Sequence, residues 1–456
     1  MITPTELKEI AQHNVRAFTL FRMFFSARFY YPVYALIFFD HGLTLEQFGF
    51  LNAIWAATIV LFEVPSGALA DTLGRKKLLV IASICMVLGM FVLLIAPVDG
   101  GSLTLTLFVW NRILSGIAEA AASGADEALA YDSLKAAGEE DRWGQLLEKV
   151  QRMTSIAFFF TMMTGSAIYD AKWVNAVLKF LAIDFSVDKG QLMKLPILLT
   201  FCSFFVVLAT ALRMRETLVK TDVGLGATLA NTWKQTLQAS KWVWMNIFAL
   251  GVILASVVLI SVILHLLTLT SEYWTVIDLP VASYGMIGSG MSIMGFFTPI
   301  IARRLTENFK PGVNFLIVCT GVWIGLYGLS MAIPYWGILP ATLLYAGIQF
   351  TTYMVSRYLN EIAPSEQRAT ILSLRGFSTN LVYGAVSLIY GVLIACIKSG
   401  YSEEMLASDS EIKDAIFVES LGWFPWYFLL SVVVCILIIR LRAAFLKNGS
   451  AKHSFI

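Results

Sequence analysis

Charge is the scarcest property of this sequence. Asp, Glu, Lys and Arg make up 14% of its 456 residues, where a soluble globular domain carries about 25%. With 58% hydrophobic residues and a mean hydropathy of +0.73, the chain is excluded as a soluble domain, and equally as a disordered or collagen-like one. The net charge is only +2, so no basic excess points to nucleic acid. Cysteine is sparse as well. Cys85, Cys202, Cys319, Cys396 and Cys435 each sit in an apolar run, which suits small buried side chains and argues against a disulfide framework. His13, His41, His265 and His453 show no H-E-x-x-H or comparable spacing, so neither a metal site nor a cofactor is expected.

What is present is a succession of long apolar runs. Twelve of them, near 17–39, 47–70, 78–97, 103–125, 153–170, 195–212, 244–268, 283–302, 313–333, 336–356, 376–397 and 422–439, are long enough to cross a bilayer as helices. The fold class expected is therefore an all-α membrane protein with twelve transmembrane helices. The stretch 173–185 is apolar but too short to span, and should lie along the interface or over helix ends. The first sixteen residues are polar and carry acids, unlike a secretory signal peptide, and read as a cytoplasmic lead-in.

Basic residues set the orientation. With the N-terminus inside, 24 of the 33 lysines and arginines fall on the inner side, so both termini are expected in the cytoplasm. The longest inner break, 213–243, divides the chain into an N-terminal six-helix half (1–212), a linker (213–243) and a C-terminal six-helix half (244–456). The halves echo each other. Phe48-Gly49 and Tyr284-Gly285 stand 236 positions apart, and Pro65 and Pro299 stand 234 apart, which favours an internal duplication.

After the second run the sequence reads Gly67-Ala-Leu-Ala-Asp71-Thr-Leu-Gly74-Arg75-Lys76-Lys77-Leu78. Gly67 should permit close helix approach and Gly74 a tight turn, while Arg75, Lys76 and Lys77 anchor the inner face. In residue type, spacing and place, this loop resembles the G-x-L-a-D-r-x-G-r-k-x-x-l signature of the major facilitator superfamily. The fourth run, with Arg112, Ser115 and Gly116, is similar to that family's l-x-x-x-R-x-x-q-G pattern, with serine for the usual glutamine. The segments 127–134 and 358–370 also look like bacterial members. The G-x-x-x-G-P-x-x-G-G signature of drug antiporters is not found in the fifth run, where Gly165 is followed by no proline. The resemblance implies two six-helix halves working by alternating access. It also implies that Gly67, Asp71, Gly74 and Arg75 form a gate latch, with Asp126, Glu127 or Asp132 as acidic partner.

Charges inside the spans carry the chemistry. A charge at mid-membrane costs at least ~2.5–3.5 kcal/mol, yet Arg22, Arg28, Glu63, Arg112 and Glu119 all lie within the first six runs, against only His265 in the last six. Arg112, Gly116, Glu119, Ser123 and Asp126 follow steps of four and three along one helical face. Arg112 and Glu119 stand two turns apart, coupled either through a substrate or as a structural ion pair. Arg28 precedes Tyr30, Tyr31, Pro32 and Tyr34, where a helix can open beside aromatic hydroxyls; it either attracts an anionic group or clamps neighbouring helices. Arg22 lies nearer the cytoplasm and should snorkel. Glu63, just before Pro65, either titrates or packs. In the second half, Gln349, Asn380 and Tyr383 offer neutral contacts to a substrate or bonds between helices.

The resulting reading is a secondary transporter of a small organic solute, leaning anionic or zwitterionic. It is coupled to protons through Glu119 or Glu63, with Arg28, Tyr31, Tyr34, Arg112, Gln349, Asn380 and Tyr383 lining the cavity. A monomer surrounded by membrane lipid, in a bacterial inner (plasma) membrane, is expected. No G-x-x-x-x-G-K-[ST] occurs, which argues against ATP-driven transport by this chain alone. The alternative is a multidrug efflux antiporter, supported by 32 Phe, 16 Tyr and 12 Trp. A non-transporting receptor fits less well, because neither 213–243 nor the C-terminal tail provides a signalling domain. An enzyme fits least, for want of a nucleophile–base pair.

Overall fold

A computed structural model describes residues 4–216, 225–364, 368–402 and 410–453. All the regular structure among its described residues is helical, and twelve long helices correspond to the twelve apolar runs. They are α1 (Pro4–Ser26), α2 (Leu45–Leu73), α3 (Arg75–Ile95), α4 (Ser102–Ala122), α5 (Trp143–Tyr169) and α6 (Leu195–Arg213), then α7 (Ile247–Thr268), α8 (Tyr284–Asn308), α9 (Pro311–Ser330), α10 (Ile338–Ile362), α11 (Arg368–Lys398) and α12 (Ser410–His453). Among the described residues, nine helices are long and apolar enough to cross a membrane. The three that fall short are α1, α4 and α5; α1 and α4 carry Arg22, Arg112 and Glu119. A helix satisfies its own backbone polar groups, which is what the hydrocarbon demands. Large apolar side chains such as Leu61, Phe160 and Leu430 remain more than 60% exposed, as lipid-facing residues do.

Two departures from the sequence reading bear on the site. The first span is not one helix: α1 stops at Ser26, and a short turn (Tyr31–Val33) leads into a separate helix, Tyr34–Asp40. The linker is not mere loop either, because Leu225–Met245 forms a helix ahead of α7. Its polar sequence carries no long apolar run, which is why hydropathy passes over it. Residues 217–224 of the linker lie outside the described residues.

The break in the first span is held by its neighbours. The Phe29 amide, freed from helical bonding, donates to Thr200 Oγ1 on α6 at 3.0 Å. Ser271 Oγ accepts from the Ala35 and Leu36 amides at 2.9 and 3.4 Å, which caps the start of the following helix. Gly165 on α5 lies against the Phe29 carbonyl, where any Cβ would overlap it.

The chain divides into two compact units. The first takes the described residues up to Thr232 together with Leu269–Thr275 and Leu279–Ser292; the second takes Trp233–Thr268, Val276–Asp278 and the residues from Ile293 on. In the first unit α4 packs between α2 and α3, α6 lies on α3, and α1 packs on α5, α6 and the helix Ala125–Ala136. In the second, α7 packs on α10, α11 and α12, and α9 on α10 and α12. The helix Ala171–Phe180 in the first unit has no buried residue; Trp173 is 52% and Phe180 88% exposed. Exposed aromatic groups on an amphipathic helix suit the membrane interface expected for 173–185.

Candidate functional site: a charged centre in the first unit

The break at residues 27–30 sets Arg28 inside the first unit, 5% exposed. Its Nη2 pairs with Glu119 Oε1 on α4, and its Nε donates to the Phe25 carbonyl at 3.3 Å. The guanidinium also lies over the rings of Tyr31, Phe25 and Phe204, at 5.2, 5.6 and 5.8 Å from their centroids. Rings at that range add cation–π attraction to the ion pair.

Arg112, on α4 and 4% exposed, is held differently. Its Nε and Nη2 donate to Asn111 Oδ1 at 2.9 and 2.5 Å, and its Nη1 donates to the Tyr34 hydroxyl at 2.5 Å. Tyr34 passes the chain on, donating to Asn52 Oδ1 on α2 at 2.8 Å, while Asn111 Nδ2 donates to the Gly89 carbonyl on α3 at 2.8 Å. The buried Asn52 Nδ2 has no hydrogen-bond partner. Every partner of Arg112 is neutral, and no carboxylate lies within ion-pair distance of it among the described residues. The first unit thus buries one arginine with a counter-ion and one without.

Arg112 and Glu119 form no direct ion pair along α4. The arginine of Glu119 is Arg28, brought across from the broken first span; steps along one helix cannot register a residue arriving from another. Arg22, expected to snorkel, pairs instead with Asp126 at 3.3 Å and Glu127 at 3.0 Å. Asp126 lies past the end of α4 on the helix Ala125–Ala136; burial pushes its carboxyl up to about 6 against the pull of Arg22.

The loop after α2 turns at Gly74, whose φ of +99° only glycine adopts readily. Arg75 pairs with Asp132, one of its three candidate acids. Glu216 Oε2 accepts from the Lys76 amide at 2.9 Å. Asp71 sits in α2, and its side chain lies outside the described residues. Gly67 does not serve close approach: among the described residues, nothing lies within 4 Å of a Cβ placed there. The close contact belongs to Gly116, where a Cβ would stand 2.7 Å from Thr58 Cβ and 3.0 Å from the Trp55 carbonyl on α2. Glu63 is half-buried on α2, and its Oε2 is buried without a hydrogen-bond partner.

The second unit contains Gln349, Asn380 and Tyr383. Gln349 Nε2 donates to the Tyr345 hydroxyl at 3.2 Å, Asn380 is half-buried, and Tyr383 is 2% exposed with its ring 6.3 Å from that of His265. His265 is the feature that the sequence marked only as a lone residue. It is fully buried, its Nδ1 lies 3.0 Å from Ser387 Oγ, and its ring contacts Tyr390 and Phe424 at 4.7 and 5.7 Å. The sequence placed Tyr383, Ser387 and Tyr390 at helical spacing on α11; that spacing is the signal for such a face.

The sequence model of the Major Facilitator Superfamily matches residues 17–387. The chain belongs to this superfamily. It is accordingly an integral membrane transporter and not an enzyme. Its fold is similar to a bacterial homologue of the human lysosomal transporter Spinster, with TM-score 0.64 and 14% identity over 97% of this chain and 98% of that one. It is also similar to the nucleoside transporter NupG, with TM-score 0.64 and 12% identity over 94% and 98%. A third similar structure is a D-xylose–proton symporter, with TM-score 0.59 and 16% identity over 94% and 96%. No curated protein matches the sequence.

Proposed function

We propose that this secondary transporter carries a small organic anion together with protons. The observation behind the substrate class is Arg112: a buried guanidinium held only by neutral groups. Burying an unbalanced charge costs several kcal/mol, a cost that an anionic substrate would offset on binding. Arg28 supplies the coupling. While Glu119 is ionised it satisfies Arg28; once Glu119 takes a proton, that guanidinium is released to the incoming anion. Proton and anion then bind together, which is the logic of symport. The proton-coupled structural neighbour lends this support. Glu63 is the second acid suited to carry the proton. Tyr31 and Tyr34 in the first unit are further proposed substrate contacts, and Gln349, Asn380 and Tyr383 in the second are proposed neutral ones. The proposed halves of the chain are 1–212 and 244–456, joined by 213–243, and Asp71, Arg75 and Asp132 make up the proposed gate. Both termini are proposed to be cytoplasmic, in a bacterial plasma membrane, with the protein a monomer. A multidrug antiporter is the weaker reading, since it gives the unbalanced Arg112 no role.

The test is counterflow in proteoliposomes with labelled mono- and dicarboxylates, organic phosphates and neutral sugars. Anions should exchange and the neutral solutes should not. Glu119→Gln should abolish proton-driven accumulation while anion exchange at zero gradient survives. Accumulation by Glu119→Gln with an unchanged pH dependence would move the coupling to Glu63; exchange confined to neutral solutes would end the anion reading.

A further inference from the structure

The second unit has an apolar groove of about 610 Å3 between α7, α9 and α12. Its walls include Gly251, Ala255, Phe315 and Ile439, along with Cys319 from α9 and Cys435 from α12. Three chain segments meet at one end of it. There α7 begins at Ile247, α9 begins at Pro311, and α12 runs on past Ile439. The charge at that end has one sign. Lys310 immediately precedes α9, and Arg440 and Arg442 follow Ile439. Arg442 is fixed, with Nε donating to the Trp244 carbonyl at 3.1 Å and its guanidinium 5.4 Å from the Trp244 ring. Lys310 and Arg440 make no ion pair among the described residues, and the nearest acid in sequence, Glu307, lies within reach of Arg303 and Arg357.

An apolar slot whose end residues Pro311 and Ile439 are preceded or followed in the chain by basic residues, Arg442 among them held in place, matches one chemistry. We propose that this groove holds an anionic diacyl phospholipid, its acyl chain between α7, α9 and α12 and its phosphate against Lys310, Arg440 and Arg442. Neutralised phosphate and buried acyl chain contribute separately: the basic residues select the headgroup, and the groove holds the tail. The inference rests on the membrane fold and is independent of which solute is carried.

The two contributions separate by experiment. Purified protein is mixed with phosphatidylglycerol or with phosphatidylcholine of the same chains, and bound lipid is read by native mass spectrometry. Wild type should retain at least fivefold more phosphatidylglycerol, and that lipid should slow alkylation of Cys319 and Cys435. Lys310→Gln with Arg442→Gln should reduce the preference to below twofold without abolishing retention of either lipid. Gly251→Leu, which fills the slot, should reduce retention of both; a Cβ at Gly251 meets only the Ile439 Cδ1 methyl at an ordinary 3.5 Å. Because Arg442 also bonds the backbone, Lys310→Gln alone serves as the second variant, expected to lower the preference at least twofold. Equal retention of the two lipids by wild type, or a preference that survives the charge substitutions, overturns the proposal. Retention indifferent to Gly251→Leu does so too.

Discussion

The interiors of the two units are built on opposite electrostatic plans. The first buries two guanidiniums around a broken helix and pairs one of them with the half-buried carboxylate of Glu119. Among the described residues, the second buries His265 among Ser387, Tyr390 and Phe424, with a Tyr390–Ser420 hydroxyl contact beside it, and Arg375 on α11 is half-buried with its Nε lacking a hydrogen-bond partner. A neutral cluster can be satisfied by hydrogen bonds and packing alone. A charged one cannot, and its imbalance has to be useful or it would be a pure cost. On the proposed function, recognition of charge and coupling fall to the first unit, and neutral contacts to the second.

The largest effects should follow from the two buried arginines, and they should differ in kind. Arg112→Gln removes a charge without a counter-ion, so transport should fall at least a hundredfold while thermal stability holds or rises. Arg112→Lys should restore little, because lysine lacks the fork that spans Asn111 and Tyr34. Glu119→Gln leaves Arg28 buried without its carboxylate and should cost about 1–3 kcal/mol, discounted because the Glu119 side chain is 29% exposed. The measurement is Tm of both variants in one detergent. If Arg112→Gln destabilises as much as Glu119→Gln, Arg112 is a structural clamp and the comparison loses its basis.

Helix spacing sharpens the same contrast. A Cβ at Gly116 would meet the Trp55 carbonyl and Thr58 Cβ, which are fixed by the α2 backbone. At Gly347 on α10 it would meet the Val322 Cγ2 methyl at 2.6 Å and the Ile263 Cδ1 methyl at 3.4 Å, both of which can turn aside. Overpacking a core costs about 1–3 kcal/mol; Gly116→Ala should fall at the upper end and Gly347→Ala at the lower. Chemical or thermal unfolding of the two variants gives the ranking directly. Equal losses would mean that α2 and α4 yield as readily as α9 and α10.

A smaller, kinetic effect is expected at the gate. Asp132→Asn removes the carboxylate that meets Arg75 and should slow turnover about tenfold while substrate binding changes less than twofold. A latch sets the balance of conformations and leaves the binding centre intact. A parallel loss of binding would attach Asp132 to the centre instead.

Much of this was legible in the sequence, and the gaps share a cause. Apolar runs give the twelve long helices because bilayer thickness imposes their length, and the Asp71–Arg75 loop gives the superfamily. The contrast in charge within the apolar runs of the two halves could be counted from Arg28, Arg112 and Glu119 against His265. What spacing could not give was the partner of Glu119. That depends on a helix break at residues 27–30, and the break depends on Thr200 and Gly165 from two other helices. Pro32 hinted at an opening, but the break falls before it. Gly67 misled for a related reason: glycine permits close approach, and only tertiary packing decides whether a neighbour comes.

The smallest effect is expected where the comparison is most exposed. His265 has one polar contact, to Ser387, and its Nε2 is buried without a partner. Its other neighbours are rings, so the site favours a side chain that packs over one that carries charge. His265→Phe keeps the stacking against Phe424 and Tyr390 and gives up a hydrogen bond, a loss of about 0.5–1.5 kcal/mol. Pairing it with Ser387→Ala removes both polar partners and should recover part of that loss, as a double-mutant cycle measures. Transport by His265→Phe should stay within twofold of wild type, with the pH profile unmoved. A shifted profile with intact anion exchange would show a proton handled in the second unit, and the division between a charged and a neutral half would have to be redrawn around His265.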